Sequence, residues 1–380
     1  MKRILKNTMI LFLTIVMFSG LLECIQVKAK EISLAVPKIK VKAVNSGTGI
    51  KITISKTKNA EGYEVYVSGK AISYVDYRNV DSFQKIAEVQ KDGKAKRTIT
   101  INSLPSGNYK IKIRSYNSKT YGTMKYSDFC KEKSVKIKKV VNGYNSSYDF
   151  STAQKGDIIK FGAYEQDGDF TNGREPIEWI VLEKNKKQIF LVSKYALDTV
   201  PYNKDLVESL TWENCTLRKW LNEMFYVNAF NDAEKKMIKT TKVENYDNAV
   251  YGTPGGNDTK DKVFLLSQLD SINPDYGFSE EYDPLEHDVN RLCVPTAYAI
   301  MQGVYTDKNI LIFLNHAIEE SSCDWWLRTP GGSNWNEKGL ACYVDMLARV
   351  GSAYVNNDTN GVCNSSKGVR PALCISLKSE

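Results

Sequence analysis

The chain has 380 residues, a formal net charge of +8 and only two histidines, His287 and His316. At about 150 residues per domain, this length predicts two or three domains. Two histidines are too few for an iron centre with three histidine ligands, so one copy of this chain cannot form such a centre by itself.

The first 29 residues have the pattern of a secretory signal peptide. Basic residues at positions 2, 3 and 6 precede the apolar run 9–22, and small residues on both sides of Lys28 suit a signal peptidase. A transmembrane anchor is the alternative, but a bilayer span needs about 20 apolar residues. We therefore expect residues 1–29 to be a signal peptide and the protein to be secreted or associated with the cell surface.

Charge divides the rest of the chain into two parts. Residues 30–140 carry 24 Lys and Arg against 9 Asp and Glu, a net of +15, whereas residues 141–380 carry 24 against 34, a net of −10. Opposite charges could dock the two parts on each other, or the basic part could contact an anionic cell wall. A lysine-rich solubilising surface is the third interpretation. Export argues against a nucleic-acid partner.

Residues 34–140 read as a β-sandwich. Seven short alternating or apolar runs are separated by turn residues, which is typical of antiparallel sheets. The runs are KIKVKAV, IKITIS, GYEVYVS, SFQKIAEV, RTITI, NYKIKIRSY and KSVKIKK. In the segment 104–109, Leu104 precedes a turn and Tyr109, the spacing of a tyrosine corner.

This module resembles a fibronectin type III domain. The resemblance rests on GYEVY at 62–66, LPSGNY at 104–109 and RSYNSKTYGTMKYS at 114–127. Ile54 stands where such domains usually carry a core tryptophan. The resemblance implies a spacer or adhesive module without catalysis, followed by a linker at 141–152.

Residues 153–380 predict an α+β domain. GDIIKFGAY at 156–164 reads as a strand, and a polar turn at 184–187 joins two further strands as a hairpin. The later runs WWLR, LACYVD, VGSAYV and ALCISL are strands as well. We expect residues 158–162 and 372–377 to lie side by side and close the domain.

Helices are expected between these groups of strands. Five apolar residues from Leu217 to Phe225 form one helical stripe, which Thr216 can cap. Asn231 and Glu234 form a capping box for a second helix. Pro295 at a first-turn position and Gly303 after the last turn bracket a third.

Six segments of this domain resemble an uncharacterised family of secreted bacterial domains. They are FG-Y at 161–164, I-W-VL at 177–182, LRKWLNEMFYVNAF at 217–230, VFLLS at 263–267, WWLRTPG at 325–331 and GVRPAL at 368–373. Arg328 with GGS at 331–333, Trp335 and GVR at 368–370 is also similar to the RGGSW and GFR elements of C-type-lectin-like domains of the formylglycine-generating-enzyme type, although Thr329 and Pro330 interrupt the first element. The implied architecture is multidomain, an all-β fibronectin type III-like sandwich plus an α+β C-type-lectin-like domain.

Trp325, Trp326, Arg328 and Arg370 are expected to be structural anchors. Arginines fixed in extended segments could bind an anionic ligand through the guanidinium group. We favour the alternative, in which they pair with internal carboxylates such as Asp324 or Asp345 and hold the long loops.

Two polar loops are the predicted ligand surface. Amide side chains next to an aromatic ring suit sugar hydroxyls, and in lectin-like families loops of this part of the fold bind ligands. The candidate residues are Asn334, Trp335, Asn336, Asn356, Asn357 and Asp358. The same residue types also occur in any long loop.

Neither a metal nor another cofactor is expected. Five acidic residues between Glu280 and Asp288 could bind calcium, but a solvated acidic loop is the commoner structure. Seven cysteines follow the predicted signal peptide, and their spacing shows no CxxC motif and no obvious pair. Cys342 and Cys374 are expected in the core.

The sequence favours a binding or adhesion protein over an enzyme. It contains no GxSxG, GxGxxG or GxxxxGKS motif. The expected partner is an extracellular glycan or protein. The alternative is an enzyme of the formylglycine-generating type, for which no site can be assembled from the sequence.

Overall fold

The computed structural model describes most of the chain between residues 33 and 377. The described ranges are 33–44, 49–69, 83–90, 96–102, 104, 106–118, 124–138, 149–205, 207, 209–280, 288–307, 321–332, 339–351 and 366–377. Within these ranges, no helix is both long enough and apolar enough to cross a membrane. The predicted signal peptide lies outside them.

The N-terminal domain is an antiparallel sandwich, as predicted. Its strands are β1 (Ile39–Val44), β2 (Gly49–Ser55), β3 (Gly62–Ser68), β4 (Gln84–Gln90), β5 (Lys96–Ile101), β6 (Gly107–Asn117), β7 (Lys125–Tyr126) and β8 (Lys133–Ile137). One sheet has the order β1-β2-β5, and the other has the order β4-β3-β6-β7 with β8 also paired to β6. In β2 the alternation puts Ile50, Ile52 and Ile54 fully in the core. Leu104 and Tyr109 are buried too, while the hydrogen bond that would define a tyrosine corner stays a prediction.

The first sheet of the C-terminal domain corrects one expectation. It contains β9 (Ile158–Tyr164), β10 (Glu175–Lys184), β11 (Gln188–Ser193) and β19 (Ala372–Ser376), in the order β19-β11-β10-β9. The expected pairing of 158–162 with 372–377 is therefore wrong, because β9 and β19 are opposite edge strands. The β10–β11 hairpin occupies the centre, and each of its free edges takes one terminal strand.

A second sheet lies further along the domain. It contains β12 (Asp198–Thr199), β15 (Trp325–Pro330), β16 (Ala341–Val344), β17 (Val350–Gly351) and β18 (Gly368–Val369), in the order β12-β18-β15-β16-β17. β15 and β18 are parallel, and the other pairs are antiparallel. A separate pair is formed by β13 (Thr241–Val243) and β14 (Thr259–Asp261).

The helices of the C-terminal domain lie between β12 and β15, in the predicted order. They are α1 (Thr216–Trp220), a π-helical turn (Leu221–Phe225), α2 (Tyr226–Ala229), α3 (Asp232–Met237) and α4 (Ala297–Gln302), with single 3₁₀ turns at Asp270–Ile272, Pro274–Tyr276 and Val289–Arg291. Leu217, Trp220, Leu221 and Phe225 are buried, which confirms the apolar stripe.

The helix ends agree with the sequence only in part. The capping box of Asn231 and Glu234 is present, and Gly303 ends α4 in the left-handed conformation. The cap of α1 is Cys215 instead of Thr216, because the Thr216 hydroxyl accepts a hydrogen bond from the Lys204 amide. The cap of α4 is Thr296, so Pro295 lies before the helix and not in its first turn.

Asn102 connects the sandwich to the C-terminal domain through hydrogen bonds. The amide of Asn102 donates to the carbonyl of Phe170 at 3.0 Å, and its side chain donates to the carbonyl of Thr171 at 3.4 Å. Both bonds join uncharged groups.

Gly162 offers a test of the packing between β9 and the helices. Its φ is +70°, and a Cβ there would lie 2.5 Å from the Phe230 ring and 2.9 Å from the Ala229 carbonyl oxygen. Gly156 has a similar φ of +88° with nothing within 4 Å. We expect Gly162→Ala to lower the free energy of unfolding by roughly 3 kcal/mol, because a crowded Cβ adds to the backbone strain. Gly156→Ala should cost about 1 kcal/mol for the backbone strain alone. Chemical denaturation of both variants measures the difference, and equal losses would contradict this packing.

Candidate functional site

The two adjacent tryptophans of β15 hold separate parts of the C-terminal domain. Both side chains are buried. The indole N–H of Trp325 donates to the carbonyl of Arg291 at 3.0 Å, and that of Trp326 donates to the carbonyl of Val200 at 3.1 Å. Each ring therefore ties β15 to a distant segment of the chain.

Arg328, also on β15, is a buried cation that gathers two other segments. Its Nη1 donates to the Leu265 carbonyl at 2.8 Å and to the Asp270 carboxylate at 2.5 Å, and its Nη2 donates to the Glu244 carbonyl at 3.2 Å. A charge buried this deeply needs such partners.

The carboxylate beside Arg328 differs from those suggested by the sequence. Asp324 pairs with Lys367 at 2.9 Å, and Asp345 pairs with Arg349 at 2.6 Å. Asp270 takes the role instead, because the 3₁₀ turn that it begins lies against β15. Nothing in the sequence places residue 270 next to residue 328.

Arg370 is buried between the two sheets. Its Nε donates to the Ser193 carbonyl at 2.9 Å, and its guanidinium lies 4.8 Å from the Trp325 ring centroid. The Arg370 guanidinium thus contacts a carbonyl and an aromatic ring, and not the expected carboxylate of Asp324 or Asp345.

A third buried arginine, Arg291, was not predicted. It donates to the carbonyls of Ser271 and Ser279 at 2.7 Å each and lies 3.7 Å from Asp288. Burial lowers the pKa of its guanidinium. Asp288 had been a candidate calcium ligand, yet its oxygens accept the amides of Ser279 and Asn290. Of the other candidates, only Glu280 falls within the described residues, and it is exposed.

Arg328 lines a cleft at the surface of the domain, which we call the Arg328 cleft. Three segments form it, the stretch after β13, the turn before Asp270 and the end of β15. Its lining residues are Glu244, Asn245, Tyr246, Asp247, Ala249, Ser267, Gln268, Leu269, Arg328, Thr329 and Pro330. Buried Asn248 fixes the first segment, because its amide donates to the Pro330 carbonyl at 2.8 Å and its oxygen accepts the amides of Val250 and Tyr251.

The cleft contains buried polar atoms that lack partners. The Nε of Arg328 and the side-chain oxygen of Asn245 find no hydrogen-bond partner among the described residues. One is a donor and the other an acceptor. Buried polar groups are normally paired, so a cleft that leaves one of each unpaired is suited to a ligand that offers both functions.

An aromatic ring stands at the opening of the cleft. Tyr246 is 55% exposed, and its hydroxyl donates to the Glu244 carboxylate, which raises the pKa of the phenol. Asp247 and Asp270 add two further carboxylates close by. Arg328 is the cation among the lining residues, and Asp270 already pairs with it.

The ligand residues expected from the sequence cannot be placed. Asn334, Trp335, Asn336, Asn356, Asn357 and Asp358 all lie outside the described residues. Before the first of these loops, Gly332 packs against Tyr251 so closely that a Cβ would lie 1.8 Å from the ring. Gly332 therefore lies beside Tyr251, which follows the segment that forms one wall of the Arg328 cleft. That segment was not predicted from the sequence, although ENYDN at 244–248 combines amides and an aromatic ring in the same way as the expected loops.

A group of carboxylates lies elsewhere, in the turn after β9. One oxygen each of Glu165, Asp167 and Glu175 lies within 4.8 Å of the others. All three already accept backbone amides of the same turn, from Gly168, Asp169 and Gln166. The three carboxylates therefore stabilise the turn whose carbonyls accept the hydrogen bonds from Asn102, and we assign no metal to them.

Tyr164 and Asp198 form a buried titratable pair. The phenol donates to the carboxylate at 2.5 Å, and the Thr199 amide donates to the other oxygen at 2.7 Å. Burial raises the pKa of Asp198 to about 7, although the hydrogen bonds from Tyr164 and Thr199 oppose this shift.

Comparisons with known proteins give one family model and two solved structures. A family model described as a domain of unknown function (DUF6273) matches residues 186–377. Two solved structures are similar to a smaller part, "Structure of FN3tt mut" at 18% identity and "Crystal Structure of FN3tt" at 17%, each covering 28% of this chain with a TM-score of 0.20. The matches span 97% and 99% of those chains. No curated protein matches.

The Asp198 carboxyl predicts a specific pH dependence. Its pKa is higher in the folded state than the ordinary 3.8, so the folded state holds a proton that the unfolded state loses. Stability from this group is present below pH 4 and falls by about 4 kcal/mol as the pH rises through 7. Asparagine cannot lose that proton, so the free energy of unfolding of Asp198→Asn should change less between pH 4 and 8. Denaturation at each pH measures this, with exposed Asp205→Asn as the control. Parallel profiles for Asp198→Asn and the parent protein would contradict the prediction.

Proposed function

The chain belongs to the family described as a domain of unknown function (DUF6273), and we propose that it is an exported bacterial binding protein whose C-terminal domain recognises an extracellular glycan in the Arg328 cleft. The proposal includes a C-type-lectin-like fold for that domain. The N-terminal sandwich, of the fibronectin type III kind, would act as a spacer, and its basic surface would contact the anionic cell wall.

The observation that carries the proposal is the pair of unsatisfied atoms in the cleft. Arg328 Nε needs an acceptor and the Asn245 oxygen needs a donor. A hydroxyl group supplies both, and a sugar presents several hydroxyls on a rigid ring. Pairing these atoms removes a desolvation cost of about 1–3 kcal/mol for each group, which favours binding.

The aromatic ring at the opening supports the same class of ligand. Tyr246 exposes about half of its surface beside the polar cleft, and Leu269 on the opposite wall is 46% exposed. An apolar face next to convergent polar groups is typical of small-molecule sites. The ring can stack on the apolar face of a pyranose while its hydroxyl stays bonded to Glu244.

Charge favours a neutral glycan over an acidic one. Two carboxylates, of Glu244 and Asp247, line the cleft, and Arg328 is the cation among its lining residues. Asp270 pairs with Arg328 and Lys242 pairs with Glu244 at 3.5 Å, which leaves the Asp247 carboxylate as the lining charge that repels anions. An anionic ligand, which the sequence allowed for Arg328, is therefore not part of this proposal.

Two equally exposed tyrosines allow a matched test. Tyr246 is 55% exposed in the cleft, whereas Tyr305 is 56% exposed outside it. The purified protein is screened on an array of neutral glycans, acidic glycans and peptides, and the best ligand is titrated. We expect neutral glycans to bind, Tyr246→Ala to weaken binding about 10- to 100-fold, and Tyr305→Ala to leave it unchanged.

Three outcomes would contradict the proposal. They are equal losses in the two tyrosine variants, selective capture of acidic glycans or peptides, and no glycan binding by the parent protein. Joint replacement of Trp335 and Asn336 by alanine tests the loop expected from the sequence in the same titration. If only that variant lost affinity, the site would lie in the loop and not in the Arg328 cleft.

A further inference from the structure

Cys293 and Cys323 lie side by side in the core of the C-terminal domain. They are 30 positions apart in sequence, and the expectation of no obvious cysteine pair is corrected here. The backbone amide of Cys323 donates to the carbonyl of Cys293 at 2.9 Å, and the two thiols are close enough for each to shift the pKa of the other. Both side chains are buried.

The backbone geometry suits a covalent bond between them. Disulfides join residues whose Cα atoms are about 4.4–6.8 Å apart, so they need neighbouring backbones such as the hydrogen bond from Cys323 to Cys293 provides. Gly368 leaves room for the sulfur, since a Cβ there would lie 3.1 Å from Cys323 Sγ.

The surroundings also favour reaction at one of the two sulfurs. Burial alone would raise the pKa of Cys293, but its hydrogen bond to Cys323 and the nearby Arg370 guanidinium lower it below its ordinary value. The hydrogen bond to Cys293 and burial raise the pKa of Cys323. One sulfur is thus held as the better nucleophile beside a resolving thiol.

We propose that Cys293 and Cys323 form an intramolecular disulfide when the chain folds in an oxidising environment. The Cys293 thiolate attacks a small-molecule disulfide and releases one thiol. The Cys323 sulfur then displaces the second thiol from the mixed disulfide, so the S–S bond forms and the oxidant is reduced to two thiols, which take up the two protons. Because the pair is buried in the folded protein, this step takes place late in folding, when Arg370 is already near Cys293 and the oxidant still has access. The inference is independent of the ligand in the Arg328 cleft.

Peptide mapping of the refolded full-length protein tests this disulfide. Unfolded, reduced protein is refolded in a buffer of oxidised and reduced glutathione, or in excess reductant, then denatured, alkylated and digested with trypsin. The oxidised sample should contain the peptides 292–308 and 309–328 joined by a disulfide, with a mass about 2 Da below their sum. Its Tm should exceed that of the reduced sample by about 5–10 °C.

Serine variants provide the controls. Cys293→Ser and Cys323→Ser should lose the linked peptide and the Tm difference, whereas Cys374→Ser, at another buried cysteine, should keep both. If the first two variants fail to fold, mapping of the parent protein decides alone. Full alkylation of Cys293 and Cys323 after oxidative refolding would overturn the proposal, as would linkage of either one to a different cysteine.

Discussion

Burial of the Arg328 charge is the constraint on which the candidate site depends. A guanidinium removed from water is tolerated only when acceptors surround it. Here the acceptors come from two segments remote in sequence, the carbonyl of Glu244 on one side, and the carbonyl of Leu265 with the carboxylate of Asp270 on the other. The same bonds that neutralise the cation therefore bring together the walls of the cleft. One donor, Nε, is left without a partner among the described residues.

Arg291 and Arg370 are also buried guanidinium groups that bind main-chain carbonyls, at other places in the domain. The carbonyls are those of Ser271 and Ser279 for Arg291 and that of Ser193 at the end of β11 for Arg370. The indoles of Trp325 and Trp326 bind two further carbonyls. A domain with short strands and long connections has many backbone acceptors outside its sheets, and these side chains satisfy them from within the core. The buried arginines and tryptophans between residues 291 and 370 therefore have a structural role in this domain.

Local patterns in the sequence were sufficient to predict local structure. Alternation located the strands of the sandwich, the stripe from Leu217 to Phe225 identified a helix, and Asn231 with Glu234 identified its neighbour. Partners across space could not be predicted in this way. The alternation in β9 and β19 is the same whether the two strands pair directly or, as observed, are opposite edges of the sheet. The partner of Arg328 and the adjacency of Cys293 and Cys323 depend on tertiary structure and leave no trace in residue spacing.

Hydrogen exchange of an Arg328→Met variant tests the central claim most directly. Methionine keeps the apolar bulk of the side chain but removes the guanidinium hydrogen bonds to Glu244, Leu265 and Asp270. The account predicts that the amides of 244–249 and 265–270 exchange about 10-fold faster than in the parent protein, while those of β10 and β11 are unchanged. Unchanged exchange in these two segments, or a uniform increase over the whole domain, would contradict the assignment of Arg328 as the residue that assembles the cleft.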